Sequence, residues 1–201
     1  MRQTLSIIIL CLISFVSDAK GPAFGTVPYE PYLKEVQDLD ISELVELHKI
    51  GRIDATIQLA RELWWDGDAE TPINLLRNPA DQGIPVAQYL LGSYLKFKNR
   101  DLEGSSRWLT RAADAGHPIA QETLASYYYW GKYGFPVDLQ KAYQLYRLAA
   151  EQGLKNSQMN VGMMLCAGKG VPRDKAEGSK WFLKANKGEK VRISLKEGGC
   201  E

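Results

Sequence analysis

Histidine is nearly absent from this sequence: His48 and His117 are the only two. Cysteine is scarce as well, at Cys11, Cys166 and Cys200. No His/Cys spacing suits a structural zinc, and no serine stands in a nucleophile elbow. Gly168-Lys169-Gly170 lacks the Gly-Lys-Ser/Thr ending of a phosphate loop. Asp66, Asp68 and Glu70 cluster just before a predicted helix, where capping accounts for them. No two carboxylates can be placed across a cleft, as a glycosidase pair would require. His117 sits in a Gly-His-Pro turn, which points to a structural role. The chain therefore reads as non-catalytic, with no cofactor and no metal expected.

Excess charge is also missing. The formal net charge is +1, and no Lys/Arg-rich run or RNA-binding motif appears, so nucleic acid is not an expected partner. The charge is unevenly placed, acidic between Glu30 and Glu70 and basic between Lys180 and Lys196. These stretches read as solvated faces, or as a dipole that steers a partner. Long apolar runs are absent too. Leu5 to Val16 is apolar but too short to span a bilayer. With Arg2 before it and Ser17-Asp18-Ala19 after it, the stretch has the pattern of a cleavable export signal at residues 1–19. A bacterial periplasmic location is expected, with no integral membrane segment after cleavage. Cleavage would leave Cys166 and Cys200 in an oxidising compartment. Either the two pair and pin the C-terminal tail to the last helices, or one is a buried thiol and the other a terminal one.

What is present is a hidden period. Gly51, Gly83, Gly116 and Gly153 each precede, by four residues, a small residue: Ala55, Ala87, Ala120 and Ser157. Four residues further on stand Leu59-Ala60, Leu91-Gly92, Leu124-Ala125 and Val161-Gly162. Then comes a loop ending in Asp68, Asp101, Asp138 or Asp174, and seven residues later Leu75, Trp108, Leu145 or Trp181. This is the pattern of a helical hairpin. Apolar positions recur at helical spacing. Each Asp caps the second helix, and each Gly ends it in a left-handed conformation. The small residues let a neighbouring helix come close. One hairpin cannot bury its apolar face alone, so several must stack into a solenoid. The predicted layout is an extended arm at 20–39, a leading helix at Ile41–Ile50, and about four hairpins from 54 to 188 with a C-terminal cap. Together 40–201 form a single α-solenoid domain. Pro79 is expected to kink or shorten its helix.

The stretch from Val161 to Trp181 carries Gly168, Gly170, Val171, Asp174 and Trp181. It resembles the Sel1-like repeat (SLR), a relative of the tetratricopeptide repeat. The Ala120–Gly153 unit keeps Gly131, Gly134, Asp138, Lys141-Ala142 and Ala149-Ala150. The units at Ala55 and Ala87 have shorter loops without the double Gly. The resemblance implies an all-α, right-handed superhelical solenoid of antiparallel helix pairs, whose first helices line a concave surface.

Placed in common phase, those helices show a stripe of Trp65, Tyr94, Phe97, Tyr127, Trp130 and Met164, with Gln88, Gln121 and Gln158 above it. Aromatic residues with a polar handle anchor protein interfaces, so this stripe is the expected partner-binding face. The competing expectation is that the rings bury themselves between repeats. The resemblance also implies candidate roles. The first is an immunity protein that neutralises a type VI secretion phospholipase effector, a lipase-type toxin. The second is a periplasmic scaffold or regulator of envelope or exopolysaccharide assembly. The third is a secreted SLR hydrolase, although that subgroup carries a cysteine pair in nearly every repeat and this chain does not.

Overall fold

The computed structural model describes residues 33–64, 70–98, 100–186 and 200, with only the backbone of Lys98. The expected export signal, most of the N-terminal arm, Trp65, the Asp68 cap and nearly all of the C-terminal cap lie outside these residues. Among the described residues all regular structure is helical. The chain divides into two compact units, Met1–Pro79 and Ala80–Glu201.

In the first unit, Leu33 and Val36 are buried just ahead of helix α1 (Ile41–Lys49). A reciprocal capping box starts α1: Asp40 Oδ1 accepts from Glu43 N at 2.9 Å, and Glu43 Oε2 accepts from Asp40 N at 3.0 Å. The predicted helix end at Ile50 is its C-cap. Helix α2 (Ile53–Leu63) packs on α1 and buries an unbroken run from Ala55 to Ala60. Helix α3 (Glu70–Asp81) contains Pro79 but is not shortened by it. It stops two residues before Gly83, just as the equivalent helix below stops two residues before Gly116. A proline here removes one N–H donor, and only two helical residues follow it before the end is reached. Within this unit a cleft of about 400 Å³ is lined by His48, Thr56, Thr71, Asn74 and Asn78.

The second unit contains three hairpins. They are α4 (Pro85–Lys98) with α5 (Leu102–Asp114), α6 (Pro118–Trp130) with α7 (Leu139–Glu151), and α8 (Lys155–Ala167) with α9 (Lys175–Ala185). Consecutive hairpins pack α5 on α6 and α7 on α8. The expected caps are in place. Asp101, Asp138 and Asp174 each accept from the backbone N–H three residues on, at 2.8, 2.9 and 2.9 Å. Gly83, Gly116 and Gly153 have φ of 85°, 88° and 96°. The small residues do what close packing requires. A Cβ on Gly92 would stand 3.1 Å from Ser105 O, and one on Gly162 would stand 3.1 Å from Gly178 O. The core follows the same spacing, with Ala125, Ala142, Tyr146, Val161 and Leu165 in one cluster and Leu109, Ala112, Ala120 and Leu124 in another.

His117 confirms its structural reading. It is buried, its ring stacks on Tyr89 at 4.7 Å, and Nδ1 accepts from Ala120 N at 3.2 Å as the N-cap of α6. Burial pushes its pKa down to about 4. The unfolded chain thus binds a proton that the folded one refuses between pH 6.5 and 4, and stability rises with pH across that window. Urea unfolding at pH 4.5 should show about 2.5 kcal/mol less stability from this group than at pH 7.5. His117→Asn, which keeps a capping oxygen but cannot titrate, should remove that part of the slope. An unchanged slope in the variant would mean that His117 charges freely in the fold.

Candidate functional site

The expected stripe divides into buried and exposed parts. Tyr94 and Tyr127 are each 6 % exposed and Met164 is buried, whereas Phe97 is 68 % and Trp130 62 % exposed. The reason is helical geometry. Residues three apart lie about 60° apart around the axis, and here the edge of the buried face falls between them. Tyr94, Tyr127 and Met164 are interior residues rather than partner-facing ones.

The glutamines are interior as well. Gln88, Gln121 and Gln158 are buried, and each Nε2 donates to the backbone carbonyl eight residues earlier, Ala80, Ala113 or Ala150, at 3.1, 3.2 and 3.1 Å. Each ties its first helix to the end of the helix before it, adding a second donor to a carbonyl that already accepts from the N–H of Gly83, Gly116 or Gly153. The row expected to meet a partner is thus a repeated internal latch.

The surface that faces outward is one step around the first helices. Phe97 and Trp130 hold equivalent places on α4 and α6, and Met163 is exposed on α8, one residue before the buried Met164. Between α6 and α8 runs a groove of about 370 Å³, lined by Glu122, Ser126, Asn156, Met159, Asn160 and Met163 with Tyr146 beneath. Glu122 accepts a hydrogen bond from Ser157 across the two helices. Burial pushes the Tyr146 phenol up to about 12, so it stays neutral. The groove offers a carboxylate, a hydroxyl, two amides and two adaptable thioethers. Phe97 and Trp130 belong to the expected stripe; Ser93, Ser126 and Met163, four residues before the position of those rings in each repeat, share their face.

Cys166 and Cys200 form a disulfide with their Cα atoms 5.0 Å apart. Cys166 is buried on α8, facing Gly178 of α9, where a Cβ would collide with its Sγ. Among the described residues no three His, Cys, Asp or Glu side chains are placed to hold a metal ion. No described helix is long and apolar enough to cross a membrane.

The Sel1 repeat family model matches residues 85–117, 118–154 and 155–188, just over half of the chain. The chain belongs to the Sel1 repeat family. The matched spans coincide with the three hairpins of the second unit. The chain is similar in structure to a Sel1 repeat protein from Oxalobacter formigenes, at 29 % identity and a TM-score of 0.68, over 78 % of this chain and 47 % of that one. It is also similar to a protective antigen of SLR fold from uropathogenic Escherichia coli, at 27 % identity and a TM-score of 0.68, over 80 % and 35 %. In sequence it is 36 % identical over 108 residues to an uncharacterized protein of Neisseria meningitidis serogroup B, covering 54 % of this chain and 22 % of that protein. The chain thus spans less than half the length of each of these relatives. Its fold is the SLR solenoid of antiparallel helix pairs, and Sel1 repeats are protein-interaction modules.

Proposed function

We propose that this Sel1 repeat protein is an exported, non-catalytic module that binds a protein partner through the outward face of its first helices. The observation that carries the reading is the pair of large rings, Phe97 and Trp130, exposed at equivalent positions of successive repeats. Large aromatic side chains of this kind anchor protein interfaces. The export-type pattern of residues 1–19 and the Cys166–Cys200 pairing both support a periplasmic location.

Among possible partners we favour a type VI secretion phospholipase effector, which the protein would neutralise by covering its active site. That choice rests on the resemblance to periplasmic SLR immunity proteins. Affinity capture from the source cell's envelope and medium, with residues 20–201 as bait, tests it. The expected result is one lipase-type enzyme in near-equal molar amount, whose hydrolysis of phospholipid vesicles stops when the bait is added. Recovery of resident envelope proteins without such an enzyme would sink the immunity reading in favour of a scaffold. Phe97→Ala with Trp130→Ala should weaken capture by more than about 2 kcal/mol, roughly 30-fold, with an unchanged helical spectrum. Tyr94→Ala and Tyr127→Ala should instead lower stability, because both rings are interior.

A further inference from the structure

The stretch Tyr127-Tyr128-Tyr129 closes α6, and each tyrosine receives a different lysine. Lys96 of α4 donates to Tyr127 Oη at 2.7 Å and stands 5.3 Å from the centre of its ring. Lys141 of α7 lies 4.6 Å from the Tyr128 ring, and hydrogen bonding to Tyr128 raises its pKa. Lys169, in the loop after α8, donates to Tyr129 Oη at 3.1 Å. Successive helical residues point about 100° apart, so three elements bring three ammonium groups around one last turn. A helix C-terminus favours cations, which accounts for their gathering there.

Lys96 and Lys169 have no carboxylate partner among the described residues. Asp101, Asp138 and Asp174, at the same end of the hairpins, each direct a carboxylate oxygen at a backbone N–H. Around Lys96 the groups are rings instead. Phe97 is 4.6 Å and Tyr133 4.9 Å from the ammonium, and both rings are exposed. Trp130, exposed beside Tyr129, extends the apolar surface toward Lys169. Rings hold a cation weakly and do not neutralise it. The end of α6 therefore presents the Lys96 and Lys169 ammonium groups against rings and phenol hydroxyls, beside exposed apolar walls, while the carboxylates of Asp101, Asp138 and Asp174 turn to their own helix caps.

We propose that this end of the second unit is a docking site for an acidic peptide segment of a protein partner. One of its carboxylates pairs with Lys96 or Lys169, and an apolar side chain rests against Phe97 or Trp130. The inference rests on the protein-binding reading and names the chemistry of the partner. A few separated ammonium groups on a chain of net charge +1 suit a short acidic segment better than a continuous polyanion.

Selection of a random dodecamer display library on the purified protein tests the proposal. The enriched peptides should be net acidic with at least one large apolar residue. A fluorescein-labelled representative should lose about tenfold or more in affinity for Lys96→Gln/Lys169→Gln, and also in high salt. Lys96→Arg/Lys169→Arg should retain most of the binding, which separates a charge effect from a folding effect. Three results would overturn the proposal: enrichment without acidic bias, acidic peptides indifferent to the Gln variant, or tighter binding of a dT dodecamer than of those peptides. If a captured natural partner ignores the Gln variant but loses affinity for Phe97→Ala/Trp130→Ala, the acidic docking site falls and the protein-binding reading stands. If the wild type captures no partner, it is the protein-binding reading that fails.

Discussion

Gly170→Ala should destabilise the protein by about 3–5 kcal/mol, whereas Gly153→Ala should cost only about 1–2 kcal/mol. Both glycines have left-handed backbone, with φ of 71° and 96°, so each substitution incurs the strain of an L side chain there. They differ in surroundings. A Cβ on Gly153 meets nothing within 4 Å, so only the backbone term applies. A Cβ on Gly170 collides with the carbonyl of Leu139, the first residue of α7. That carbonyl belongs to backbone already committed to a helix, so the loop after α8 and the start of α7 would have to part. Urea unfolding of both variants at one pH measures the difference. Equal losses would mean that the loop can lift from α7 without cost, and that the double-glycine loop serves conformation alone.

Reducing the Cys166–Cys200 bond should lower stability by about 4 kcal/mol. The two residues are 34 apart in sequence, and opening a loop of that size restores chain entropy to the unfolded state. Cys200→Ser should reproduce the loss and abolish any further effect of a reductant. The test is a pair of urea titrations with and without dithiothreitol. An unfolding midpoint that ignores the reductant would show that the thiols are not paired in solution. Cys166 is fully buried against Gly178 whereas Cys200 is half-buried, so a reductant is expected to attack the Cys200 sulfur and release Cys166 as the thiolate.

The legibility of the chain varied with the range of the interactions involved. Asp101, Asp138 and Asp174 act on N–H groups three residues away, and Gly83, Gly116 and Gly153 act on their own backbone. Such short-range devices recur at the repeat period and can be read directly. Pro79 leaves the length of its helix unchanged because the effect of a proline on helix length depends on how many turns remain after it, and few do. The expected stripe split into a buried and an exposed part for a similar reason. Tyr94 and Phe97 lie close in helical phase, and which of them is covered depends on where the neighbouring helices sit. The glutamines looked like a polar row because nothing local reveals a carbonyl acceptor eight residues back.

The tyrosine run shows the division most plainly. Sequence alone determined that α6 ends near Trp130, that Gly131 turns the chain, and that Asp138 starts the next helix, because caps and periodicity are local properties of the backbone. Only the tertiary structure decided that Tyr127 is interior, that Trp130 is outward, and that lysines from α4, α7 and the loop after α8 converge on the three phenol rings. Those outcomes depend on residues up to forty positions away, which are brought together by the stacking of hairpins that cannot bury their apolar faces singly.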